Sequence, residues 1–146
     1  MAVQRMDNVG IVVDDIETAI AFFKALGLEL EGRAENEGPA VDGTVGMTGV
    51  RCTIAMLRVP DGGGRLELMK YHTPEAITPT PEAPPANTLG LHRVMFAVDD
   101  IEEAITRLRP HGAELLGELV QYGDTYRLCY LRGPAGILVA LAEQIG

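Results

Sequence analysis

A chain of 146 residues, 47% apolar and 23% charged, is long enough to bury an ordinary core and has no low-complexity tract, which excludes a disordered or fibrous class. Its net charge of −9 argues against a nucleic-acid partner, because phosphate binding needs Lys and Arg gathered on one face, and suits a neutral or cationic ligand. No apolar run nears the roughly 20 residues of a bilayer span, and Met1–Asn8 lacks the apolar stretch of a secretory signal, so a cytoplasmic protein without membrane contact is expected.

In chain order, Met6–Val13 is β-branched and apolar enough for a buried strand. Asp14-Asp15 then stops it, and the spacing of Asp14 to Glu17 predicts a capping box at a helix N-terminus. Ile16, Ala19, Ile20 and Phe23 recur at helical spacing, and Gly27 sits where a left-handed residue ends a helix. Leu28–Gly32 reads as a strand. Val50–Val59 and Arg65–Tyr71 read as a hairpin around Asp61-Gly-Gly-Gly, which lacks the Lys and following helix of a phosphate cradle. Five prolines between Thr73 and Thr88 mark a linker outside the core. Beyond it the order returns: His92–Val98, Asp99-Asp100 with Glu102, a helix through Ile101, Ala104, Ile105 and Leu108, Gly112, Ala113–Val120, then Thr125–Leu131 and Ile137–Ala142 around Gly133-Pro-Ala-Gly.

The return is a duplication. Val94 follows Val9 by 85 residues, and Val9–Gly32 laid without a gap on Val94–Gly117 gives 12 identities in 24 positions. The chain is therefore an α+β protein of two tandem β-α-β-β-β modules in a single domain: module one at 3–72, linker at 73–89, module two at 90–144. Cys52 and Cys129 fall inside apolar strand-like stretches and are expected to stay reduced thiols.

Paired modules of this kind, with a strand running into Val-Asp-Asp-Ile-Glu and a close in Gly-Pro-x-Gly-Ile-Leu-Val, resemble the vicinal oxygen chelate superfamily of glyoxalases, bleomycin-resistance proteins and extradiol dioxygenases. The resemblance runs from Met6 to Gln144. It implies that each module curls its sheet into half of a cupped mixed sheet around a central cavity, helices outside. It also implies a divalent metal held by a His six residues before the first Asp of each Asp-Asp pair and by a Glu in each closing strand.

Here those four positions carry Asn8, Glu67, Arg93 and Ala140. One amide, one carboxylate, one guanidinium and one methyl do not make a divalent site, so no metal and no cofactor are expected. His92 neighbours Arg93, but strand alternation turns it to the other face, so it is expected on the helix-packed face or at the strand edge. Glu67 and Arg93 are expected to form an ion pair in the cavity floor, either purely structural or with Arg93 presenting donors to a ligand carboxylate or carbonyl.

The ligand-binding set expected from the sequence is Asn8, Glu67, Arg93, Tyr126, Met69, Met95 and Ala140. Tyr122, Tyr126, Arg127 and Tyr130 crowd one strand region, with Tyr126 and Tyr130 on one face and Arg127 on the other. Met47 and Met56 join Met69 and Met95 as pocket or core fillers. His72 is a candidate for the cavity rim, and His111 is expected at the surface of a helix C-terminus.

Two functions remain open at this point. One is metal-free binding of a small organic ligand between the modules, as in bleomycin resistance. The other is a glyoxalase-like lyase or isomerase with Glu67 as general base and Arg93 as electrophilic clamp. The family resemblance also implies pairing of two copies, most simply a homodimer.

Overall fold

The computed structural model of the chain describes residues 3–91 and 93–146; His92 lies outside the described residues. The chain divides into two units, one ending at Ile77 and the other starting at Thr78, and each carries one copy of the repeat.

In the first unit, strand β1 (Val9–Val12) leads into helix α1 (Ile16–Leu26), followed by β2 (Glu29–Glu37), a short helix α2 (Pro39–Val45), β3 (Arg51–Arg58) and β4 (Arg65–Thr73). The sheet order is β1-β4-β3-β2, with β1 parallel to β4 and the other pairs antiparallel. Alternation along each strand sets two faces. Ile11 and Val13, Leu66 and Leu68, and Ala55 and Leu57 are buried together with Ile16, Ala19, Ile20, Phe22 and Phe23 of α1. Phe22 and Phe23 meet edge to face, ring centres 5.1 Å apart, a favoured aromatic geometry. Helix α1 packs on this face, and the opposite face carries Gly10, Glu67, Met56 and Met69.

The second unit repeats the plan with β5 (Arg93–Ala97), α3 (Ile101–Leu108), β6 (Glu114–Leu115), β7 (Val120–Tyr122), β8 (Tyr126–Arg132) and β9 (Leu138–Gln144). The order is β5-β9-β8-β6, with β7 also paired to β8. Ile101, Ala104, Ile105 and Leu108 of α3 are buried, as are Val139, Leu141, Leu131 and Cys129 of the sheet.

Several expected boundaries moved. Met6–Val13 shortens to β1, with Met6 78% exposed, because parallel pairing with β4 starts only at Val9 opposite Leu66. The strand expected at Leu28–Gly32 runs on to Glu37, where cross-strand pairing to β3 outweighs a polar sequence. Arg58 donates to Glu29 at 2.8 Å and Arg65 to Glu31 at 3.2 Å, and the charges suit an edge strand. The strand expected at Ala113–Val120 breaks into β6 and β7, both short.

The helix caps also moved by one residue. It is the second Asp of each pair that caps: Asp15 accepts from the Thr18 backbone N–H and Asp100 from that of Glu103, both at 3.0 Å. The α2 turn was not anticipated. Its Asp42 reaches forward to accept from the backbone N–H groups of Gly49 and Val50, each at 2.9 Å, and so closes the loop before β3. These two bonds hold the Asp42 carboxyl below its ordinary pKa.

Between Thr73 and Arg93 no strand or helix forms among the described residues, as the prolines suggested. Part of this linker is nevertheless anchored. Arg132 donates to the carbonyls of Pro84 at 2.6 Å and Gly136 at 2.9 Å. Gly136 has φ +74°, and a Cβ there would stand 2.9 Å from the Glu82 carbonyl oxygen, so only glycine lets the linker lie against the β8–β9 turn.

Candidate functional site

The uncovered sheet faces hold most of the residues singled out in the sequence. In the first unit, Glu67 of β4 is half-buried and lies opposite Gly10 of β1 and Met56 of β3. A Cβ on Gly10 would meet the Met69 methyl at 2.9 Å, so Met69 lies across the space that this glycine leaves. Asn8 stands one residue before β1 and is exposed. Glu67 has no hydrogen-bond or ion-pair partner among the described residues of its own unit.

Cys52 sits on this same face and is buried. Burial pushes its thiol pKa up, and the charges of Glu67 and Glu35 add to the effect. It is thus a buried thiol whose ionisation is disfavoured by its surroundings. Cys129 faces the helix side of the second sheet, and burial raises its pKa as well.

His72 does not share this face. The register steps between Arg51 and Cys52, so His72 is the extra residue of a bulge in β4 and turns toward Thr53. The Thr53 hydroxyl lies 2.8 and 2.9 Å from the two carboxylate oxygens of Glu35 and 2.7 Å from His72 Nε2. A hydroxyl has one proton. With that proton given to Glu35, His72 must donate from Nε2. Thr53 is 5% exposed and lies on the side of Ala55 and Leu57, so His72 is a structural tie on the side away from Glu67 and not part of its rim. His111 is exposed in a 3₁₀ turn after α3, at the surface as expected.

In the second unit Arg93, Met95, Tyr126 and Tyr130 share the face left open by α3, and Arg127 turns to the other side, 3.4 Å from Glu102. The guanidinium carbon of Arg93 is 5.3 Å from the centre of the Tyr130 ring, within cation–π range. Tyr122 and Tyr126, direct partners across β7 and β8, stack with ring centres 5.1 Å apart at 21°. Met95 (48% exposed), Tyr122 (46%) and Tyr126 (38%) are open to solvent. Ala140 lies between Met95 and Tyr130 in register but is fully buried, so it is floor beneath them and no contact surface of its own. Met47 lies off the sheets, in the loop after α2.

Arg132 carries no local signal in the sequence beyond parity: it follows Tyr130 by two residues on the same strand face.

The four positions that the resemblance assigns to metal ligands do not fit a divalent ion. The first unit offers one carboxylate and one amide, the second a guanidinium and a methyl. Among the described residues no group of three or more His, Cys, Asp or Glu is placed to hold a metal ion. No helix among them is long and apolar enough to cross a membrane.

Two β-α-β-β-β modules, each with a helix on one sheet face, define a paired-module class of α+β proteins. Residues 5–141 match the signature of the Glyoxalase/Bleomycin resistance protein/Dioxygenase superfamily, and the chain belongs to it. A glyoxalase family protein from Bacillus cereus is 49% identical, with a TM-score of 0.95 over 100% of this chain and 97% of that one. TnmS3, an antibiotic binding protein from Streptomyces sp. CB03234, is 18% identical with a TM-score of 0.60 over 99% and 98%, and shares the fold. CFP32 of Mycobacterium bovis is 27% identical over 85 residues, which are 57% of this chain and 33% of that protein, so this chain spans only about a third of its relative's length.

Proposed function

We propose that this chain is a binding member of its superfamily that takes up a small organic ligand without a metal. The observation that carries the reading is the open face of the second sheet. It presents exposed Tyr122, Tyr126 and Met95 on the face that carries Arg93, whose only partner among the described residues of its own unit is the Tyr130 ring. Exposed large apolar groups around a few polar ones are the usual make-up of a ligand surface. Glu67, with its thioether neighbours, supplies a second polar group on the first unit's open face. The missing metal donors support a role in binding, since the family's chemistry normally rests on that ion. The same fold serves an antibiotic binding protein in TnmS3.

A thermal-shift screen against drugs and metabolites tests this directly, because a ligand that prefers the folded state raises the melting temperature. Compounds that raise it, with Arg93→Gln lowering their affinity, support the reading. A stoichiometric divalent metal in protein purified without chelator would sink it. So would turnover of a dicarbonyl or thioester that Glu67→Gln abolishes while ligand affinity stays intact. Pairing of two copies, proposed on the family resemblance alone, is read from sedimentation equilibrium.

A further inference from the structure

The chain as a whole is strongly acidic, at −9, yet the open face of the second sheet is not. The register places Arg93 and Met95 of β5, Tyr126 and Tyr130 of β8 and Tyr122 of β7 on it, and no carboxylate from β5, β9, β8 or β7. Glu143 of β9 is on the opposite face, where it accepts from the Ile101 N–H at the start of α3 at 2.7 Å. The one acidic residue in register with this face is Glu114, at the β6 edge opposite Arg132 and three strands from Arg93. Arg132 is itself spent on the Pro84 and Gly136 carbonyls. Three of the chain's four tyrosines lie here.

We infer that this face takes a flat aromatic ligand bearing a carboxylate or other anionic oxygen, with Arg93 holding the oxygen and Tyr126 taking a ring face. The inference rests on the reading of the chain as a small-molecule binder and names the class of molecule.

Arg93 is held over the Tyr130 ring, which fixes the guanidinium without using its N–H donors, so the donors stay free for a planar, two-oxygen acceptor. Four residues along β8, about 13 Å at the strand rise, Tyr126 and Tyr122 form a stacked aromatic end. Between these ends the row in register is Ala97, Ala142 and Leu128, two methyl groups and one apolar side chain against which a ring system of two or three fused rings can lie. The chain's net charge does not oppose this at contact, because charges beyond the Debye length of about 8 Å are screened at physiological salt.

The test is binding of three probes to the full chain: 2-naphthoate, 2-naphthylmethylammonium and cyclohexanecarboxylate, followed by calorimetry and by tyrosine fluorescence in a protein without Trp. Naphthoate is expected to bind at least tenfold more tightly than either of the others. Arg93→Gln is expected to weaken naphthoate about tenfold. Tyr126→Leu is expected to weaken naphthoate and neutral 2-naphthol, added as a fourth probe, alike. Arg93→Lys, which keeps the charge and loses the fork, serves as a second variant should Arg93→Gln not fold, with an intermediate loss expected. Equal or tighter binding of the ammonium or the cyclohexane acid overturns the inference, as does naphthoate binding that neither Arg93 variant changes. If such other compounds bind and naphthoate does not, only the ligand class is wrong. If no compound of any charge binds or shifts melting, the binder reading fails together with it.

Discussion

Arg93 on β5 and Tyr130 on β8 are separated by the whole of strand β9, yet the Arg93 guanidinium carbon stands 5.3 Å from the Tyr130 ring centre. Across β9, Tyr130 is in register with Ala140 and Arg93 with Leu138, so the contact runs diagonally from one register row to the next. The family resemblance assigns a metal-binding carboxylate to position 140, where the side chain here is only a methyl. Because Arg93 is exposed, the contact is worth about 0.5–1 kcal/mol. Tyr130→Leu is expected to cost about that much more than Tyr130→Phe in urea denaturation, and to loosen any ligand held by Arg93. Equal losses in the two variants would show that the ring face does not hold the guanidinium.

The two aspartates before α3 are not equivalent. Asp100 caps the helix through the Glu103 N–H, and Asp99 does not. Asp100→Ala is expected to destabilise the protein by about 1 kcal/mol, and Asp99→Ala by a few tenths at most. Chemical denaturation of the pair separates them, and a reversed order would restore the cap to the first aspartate.

Asp42 makes acid stability readable. Its folded pKa is depressed below 3.8 by the Val50 and Gly49 N–H groups. The contribution is therefore complete above the unfolded value and is lost as pH falls through the lower folded one. Asp42→Asn should lower the urea midpoint at pH 7, and the gap to the parent protein should close as pH drops below 4. A gap that stays constant with pH would mean that the carboxylate charge is irrelevant to the loop.

Cys52 reports on Glu67. Burial is the main cause of its raised pKa and the Glu67 charge the next. Glu67→Gln should thus lower the thiol pKa and speed its alkylation by iodoacetamide between pH 8 and 9. Cys129, whose shift has burial as its cause, should not change. Peptide mass spectrometry gives both rates in one sample, and an unchanged Cys52 would place Glu67 too far away to matter.

Much of the scaffold was legible from local signals. Ile16, Ala19, Ile20 and Phe23 have the spacing of one helix face, and all four are buried on it. Gly27 ends α1 at φ +123° and Gly112 ends the 3₁₀ turn after α3 at +91°, values open to glycine at little cost. The parity that put Tyr126 and Tyr130 together and Arg127 apart also held, because strand alternation is a property of the backbone. Where local signal is weak, the structure departs from the expectation. The charged run from Gly32 to Glu37 has no strand-like hydropathy, and only its ladder of bonds to β3 makes it a strand. In Asp14-Asp15 and Asp99-Asp100 either residue type can cap, and it is the second that stands at the N-cap position.

The candidate site divides along the same line. The repeat, the absence of a metal-ligand set at Asn8, Glu67, Arg93 and Ala140, and the density of tyrosine near residue 126 are matters of residue type and spacing, and the chain carries them wherever it is read. Pairing across strands that are distant in sequence is different. It buried Ala140 under its neighbours, turned His72 onto Thr53 through a one-residue bulge, and set the Arg93 guanidinium on the Tyr130 ring. Such contacts depend on register between β5, β9 and β8 or between β3 and β4, and register is decided by how whole sheets pair and pack, a sum that no short stretch of residues contains.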